Sequence, residues 1–158
     1  MATIISGDSG GTAVTTATQK VLQVVQGTTS TEVTSNTAAD ADTTLTANIT
    51  PSATSSKILV LVEQAGCGKT GGNTWLNLKL VRGSTTITTF CRFAGYTANT
   101  TTIMFGTVST SFLDSPSTTN QTTYKTVMST GNTPGSHIVQ SDDAGAQTST
   151  ITLIEVAG

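Results

Sequence analysis

Gly66-Cys67-Gly68-Lys69-Thr70-Gly71-Gly72 carries the spacing closest to known chemistry, a Gly-Lys-Thr triplet of the kind that cradles phosphate groups. A phosphate-binding loop also needs a glycine five places before Gly68, and Glu63 stands there. It needs a helix after the threonine, so that unpaired N–H groups point at the anion. Asn73-Thr74-Trp75-Leu76 reads instead as a strand, and a carboxylate at the loop's mouth repels phosphate. The segment therefore reads as a flexible connection between strands.

The other reactive groups also lack their necessary neighbours. His137 is the only histidine, and a catalytic dyad or triad requires a nucleophile and an oriented base. Ser136, Ser141, Cys67, Cys91 and Asp142 are available, but none sits in a nucleophile elbow, so His137 reads as an exposed or edge-strand residue. One histidine and two distant cysteines give no metal-ligand spacing. Asp40 and Asp42 with Asp142 and Asp143 would gather a calcium ion only if their loops met. Glu63 and Glu155 lie near strand ends, where they could face each other as glycosidase carboxylates or serve as solvated charges. Carbohydrate clefts usually offer several aromatic platforms, and this chain has a single tryptophan. Cys67 and Cys91 either meet across neighbouring strands or stay free; two cysteines do not make a secreted disulfide scaffold. Two residues read as structural. Asp114 precedes Ser115-Pro116 and is placed to accept backbone N–H bonds at a rigid corner, and Trp75 is either a core lid or an interface anchor. The expectation is no enzyme, no cofactor and no metal.

Composition points the same way. Serine and threonine make up about a third of the 158 residues, and charged residues only 10 %. Threonine is β-branched and polar, which suits a half-wet strand and disfavours helix. The formal charge is −2 with no Lys/Arg stripe, so nucleic-acid binding has no electrostatic footprint. No apolar run is long enough to span a membrane as a helix, and the N-terminus lacks the basic and apolar regions of a signal peptide.

The elements that position these groups are strands. Residues 1–19 are rich in Gly, Thr, Ala and Ser and read as a flexible N-terminal arm. Residues 20–158 read as one β domain. Residues 20–26 form the first strand, and Leu45, Ala47 and Ile49 alternate with polar neighbours in another. Lys57–Glu63 is nearly continuous in apolar residues, as in a strand buried on both sides or one central in a sheet covered by a neighbour. Ala65–Gly72 reads as a loop. Residues 73–94 form a hairpin about Gly83-Ser84, with Ile87, Thr89, Cys91 and Phe93 on one face and Phe90 and Arg92 on the other. Segments 101–112, 122–129, 137–139 and 150–156 complete eight to ten strands. The expected fold is an all-β, antiparallel two-sheet sandwich, a jelly roll ahead of an immunoglobulin-like order.

Several segments resemble small virion proteins of tailed bacteriophages of aquatic bacteria. They are Lys20-Val21-Leu22-Gln23-Val24-Val25-Gln26, Ile49 to Val60, and Leu80-Val81-Arg82-Gly83-Ser84-Thr85. Phe112-Leu113-Asp114-Ser115-Pro116 with Thr122 to Lys125, and the closing Ser149 to Val156, look like the same group. The resemblance covers roughly residues 20–158, in order, and carries over no catalytic residue. It implies a minor capsid, head-decoration (cement) or tail-fibre protein. On the first reading the chain sits on the capsid surface as a homotrimer, on the major capsid protein, with residues 2–19 along the shell. A chain this short with no heptad shaft favours that reading. On the alternative, a receptor-binding module contacts a host-surface glycan through Gly66–Gly72 and Gly131–Ser136.

Overall fold

The computed structural model describes residues 20–99, 101–131, 135–142, 145 and 147–158. The expected arm, residues 1–19, lies outside them, as does Asp143. Ten strands follow in chain order: β1 (Val21–Thr29), β2 (Val33–Ser35), β3 (Ala41–Ile49), β4 (Lys57–Lys69), β5 (Thr74–Arg82), β6 (Thr85–Thr97), β7 (Ile103–Asp114), β8 (Thr122–Ser129), β9 (His137–Val139) and β10 (Ser149–Val156). Among the described residues no helix is long and apolar enough to cross a membrane.

The strands form an antiparallel two-sheet sandwich, as the alternation predicts. Sheet A is organised on β4. Val60 pairs with Leu153 of β10 and with Phe112 of β7, so those strands flank β4 on opposite edges. β1 pairs with β10 to give β1-β10-β4-β7, and β9 with β2 extends the β10 side along the far end of β4. Sheet B runs β3-β8-β5-β6. The β5–β6 hairpin turns at Gly83, whose φ of 58° favours glycine.

Period-two patterning makes the core. Leu45, Ala47 and Ile49 of β3 face inward against Ile58, Val60 and Val62 of β4, with Ile151, Leu153, Leu80 and Tyr124. A second cluster gathers Cys67, Leu76, Leu78, Met128 and Val139 toward the other end. A buried polar network also lies between the sheets. Thr126 Oγ1 of sheet B donates to Gln64 Oε1 of sheet A at 2.7 Å, and Thr43 Oγ1 donates to the Thr126 carbonyl at 3.0 Å. Gln140, with its carboxamide oxygen turned inward, accepts from Gln64 Nε2 and from Ser149 Oγ, and its amide group reaches the carbonyls of Val139 and Thr31.

Three expectations are corrected. Of the two readings of Lys57–Glu63, burial on both sides fails, since Leu61 points outward and is exposed, while the place in the middle of a covered sheet holds. Ala65–Lys69 is not loop: β4 continues through it, pairing with β7 across register shifts between Gln64 and Cys67 and between Cys67 and Gly68. The glycines there make bulges rather than a turn. Gly66 has φ 58°, and a Cβ on it would lie 2.4 Å from the Ser141 nitrogen. Third, β9 is not an edge strand, because β4 and β2 flank it.

Sheet A meets sheet B most closely where β1 crosses β3. A Cβ on Gly27 would stand 1.9 Å from the Thr46 carbonyl oxygen, which is backbone and cannot swing aside. Gly27→Ala is expected to lower stability by about 1–3 kcal/mol. The urea unfolding midpoint measures this, and Gly83→Ala serves as the comparison, a site where no atom crowds a new Cβ and only the backbone strain is felt.

Candidate functional site

The groups nominated from sequence do not converge. Lys69 is fully buried on β4, and its Nζ donates to the Gly71 carbonyl at 2.7 Å and to Thr97 Oγ1. A lysine occupied in this way is closed to a phosphate. Glu63 and Glu155 face opposite sides of sheet A. Glu155 pairs with inward-facing Ile58 and is buried, whereas Glu63 pairs with Thr150 and is exposed. The Glu155 carboxylate accepts from Gln23 Nε2 and from the Ser52 N–H, both at 2.6 Å. Burial alone would raise its pKa, but these hydrogen bonds hold it below the usual carboxylate range. It therefore fastens β10 to β1 and to the loop before β4.

The acidic residues are tied down separately. Asp40 pairs with Lys79 and Asp42 with Lys125, at 2.7 and 2.6 Å. Asp142 instead closes its own turn, its carbonyl accepting from the Gly145 N–H at 2.8 Å. Among the described residues no three of His, Cys, Asp and Glu gather around a common point. Cys67 and Cys91 pack in one cluster as free thiols. Burial first, and the neighbouring Cys91 second, push the Cys67 thiol up to about 12, which keeps it a protonated and unreactive core residue.

Asp114 locks its corner by a different means from the one expected. Its Oδ2 accepts from Tyr124 Oη and from Arg82 Nη1, each at 2.6 Å. The carboxylate thus joins β7 to β8 and β5, that is, sheet A to sheet B. Tyr124 is fully buried, and burial together with the adjacent carboxylate raises its hydroxyl above the ordinary range. Asp114→Ala leaves that hydroxyl without its acceptor and is expected to cost about 2–4 kcal/mol in the urea midpoint.

His137 is the sharpest departure from the sequence reading. It is fully buried, not exposed, and neither ring nitrogen has a hydrogen-bond partner among the described residues. Its pairing partners are Ser35 on β2 and the buried Lys69 on β4. Burial pushes its pKa down from 6.5 to about 4. The unfolded chain takes up this proton from about 6.5 downward and the folded chain only near 4. Its contribution to stability is therefore full above 6.5, falls by roughly 3 kcal/mol as pH drops through that window, and is flat below. Urea midpoints at pH 7.5, 6 and 5 should show the decline, and His137→Leu should flatten it. An unchanged slope in the variant would exclude His137 as its source.

The grouping that sequence reading missed lies on the outer face of sheet B. Trp75, Phe93 and Tyr96 form one ring cluster, with centroids 4.5 Å apart for Trp75–Phe93, 4.7 Å for Phe93–Tyr96 and 5.9 Å for Trp75–Tyr96. Phe93 was assigned to the face of Cys91, but its φ is 61°, and the β5–β6 ladder shifts register repeatedly. Phe90 consequently turns into the core, while Phe93 is 51 % exposed. The cluster is braced. Asn77 Oδ1 accepts from the Phe93 N–H at 3.0 Å, and Tyr96 Oη donates to Asn73 Oδ1 at 3.1 Å. The Trp75 ring lies so close to Gly131 that a Cβ there would fall 1.7 Å from Cζ2. Next to it is a depression of about 260 Å³ lined by Asn77, Lys79, Thr89, Arg92 and Ser129. No family model matches the chain, and no curated protein matches it.

Proposed function

We propose that this chain is a structural virion protein, a jelly-roll subunit that decorates and cements a phage head rather than a catalyst. The strand orders support the jelly-roll reading. β1-β10-β4-β7 facing β3-β8-β5-β6, with the chain crossing between sheets at most connections, is consistent with two interlocked Greek keys.

One observation carries the functional reading. The outer face of sheet A holds an unbroken apolar row across four strands: Val24 opposite Ile154, Ile154 opposite Leu59, and Leu59 opposite Leu113. Val24 and Leu113 are more than half exposed, and Leu61 extends the patch. Contiguous exposed apolar surface of this kind marks a contact face. A subunit of a shell has one, and here a neighbouring copy is the occupant. A trimer is the expected form, by analogy with the fold. Residues 2–19 are assigned to contact with the major capsid protein.

The alternative, a tail-fibre or receptor-binding module, draws its support from the exposed aromatic cluster on the opposite sheet. Antibody against the purified chain, imaged on the particles that carry it, separates the readings. Signal over the head is expected. Signal confined to the tail would overturn the cement reading, and no particle-bound signal would overturn both. A Val24→Lys/Leu113→Lys variant is expected to keep the wild-type unfolding midpoint within about 1 kcal/mol, since both side chains already meet water. It should nonetheless lose occupancy on heads.

A further inference from the structure

We propose that Trp75, Phe93 and Tyr96, together with Asn77 and Arg92, form a saccharide-binding site for an acidic glycan, with a sugar ring on the aromatic faces and a uronic carboxylate on Arg92. The site stands on the ring cluster and the adjoining depression alone. It holds whether the chain sits on a head or at a tail.

The rings come first. An aromatic face carries the negative side of its quadrupole, and the C–H bonds on one face of a pyranose lie flat against it. Large rings exposed to water cost solvation unless a ligand covers them. Here Phe93 and Tyr96 are 51 % and 42 % exposed, yet they are held rather than loose. The amide oxygens of Asn73 and Asn77 fix them, and the Gly131 backbone backs Trp75. Phe93 reaches its position only through a left-handed backbone, which a bulky residue rarely adopts. Strain retained to present an exposed ring points to a ligand for that ring.

The polar half lies directly beside it. Asn77 both braces Phe93 and lines the depression, so the two surfaces are continuous. Its volume of about 260 Å³ is just below the usual small-ligand range of about 300 Å³ and more, which suits one sugar ring rather than a large cofactor. The cations lining it differ in availability. Lys79 is neutralised by Asp40, while Arg92 is exposed and has no ion-pair or hydrogen-bond partner among the described residues. A free guanidinium takes a carboxylate through two parallel N–H bonds. Stacked rings and an arginine would also suit a single nucleic-acid strand, but that ligand needs a positive groove along its backbone. One unpaired cation at this site, on a chain of net charge −2, does not supply it.

Trp75 is the chain's only tryptophan, so its emission reports on this site alone. The full-length chain is titrated with oligogalacturonate, with a neutral gluco-oligosaccharide of equal length, and with a single-stranded oligonucleotide. A saturable emission change is expected with oligogalacturonate, with the neutral oligomer binding about tenfold more weakly. Phe93→Ala and Tyr96→Leu should each weaken binding about tenfold or more, and Arg92→Ala should remove the acidic preference. The two ring variants back each other should one fail to fold, and Glu63→Gln on the opposite sheet should bind as wild type. No saturable response to either saccharide, wild-type affinity in both ring variants, or tightest binding to the oligonucleotide would each overturn the proposal. Failure here leaves the particle imaging untouched, and failure of the imaging leaves this site standing.

Discussion

The two sheets are held in one register by a buried side chain that cannot go unpaired. Gln64 lies in the interior of β4, between the two apolar clusters, with its oxygen taken by Thr126 and its amide by Gln140 and Ser149. An unpaired amide there would forfeit its water bonds for nothing, a penalty of about 1–3 kcal/mol per group. Apolar packing tolerates small slips, whereas this network does not. A shift of β8 by one residue would turn Thr126 away from Gln64, and a shift of β10 would remove Ser149. The Asp114 carboxylate imposes the same condition at the far end, through Tyr124 and Arg82. The sandwich is therefore pinned at its middle and at one end by polar contacts, with Leu, Ile and Val filling the space between.

That pinning leaves the two outer faces free to diverge. Sheet B presents Lys79–Asp40, Lys125–Asp42 and Thr123–Asn48 pairs, spaced along strands whose inner residues are Leu76, Leu78 and Leu80. Such exposed pairs add little stability, but they keep that face wet. Sheet A does the reverse, with valine, leucine and isoleucine on its outer side as well as its inner. A strand apolar on both sides normally means a second layer covers it. Here the inner layer is sheet B, and the outer row is the face proposed above as the contact between copies.

Strand positions were legible because alternation is local. Leu45, Ala47 and Ile49 announce their face in nine residues of sequence, and the β5–β6 turn is marked by Gly83-Ser84. What misled was glycine. Gly66 and Gly68 read as loop, yet they let β4 bulge past Ser141 and Met104, neighbours that belong to distant segments. The same limit hid the site. Counting by twos placed Phe93 with Cys91, and nothing nearby in sequence signals that one left-handed residue would reverse it. Nor does the sequence around His137 reveal that β9 lies between β4 and β2. The visible signal was weaker. Trp75, Phe93 and Tyr96 hold three of the seven aromatic side chains and lie on two strands already expected to pair.

The energetic costs of this fold are not spread evenly. At the Asp114 end the carboxylate, Tyr124 and Arg82 are matched, while the buried Ser56 Oγ has no partner among the described residues and Ser117 takes a left-handed backbone. At the other end, among the described residues, Lys69 is buried without a carboxylate and His137 without a hydrogen-bond partner, and Asn73 and Phe93 take left-handed backbones. These features adjoin one another. Lys69 bonds Thr97, the Asn73 N–H bonds the Thr97 carbonyl, and Gly95 rests against the Lys69 stem one residue from Tyr96. A sequence under selection for stability alone would relieve such costs at little expense, for instance with an apolar residue at 137 or glycine at 93. Their presence around the exposed rings is what the proposed saccharide site accounts for, since local rules are broken there in an arrangement that presents those rings.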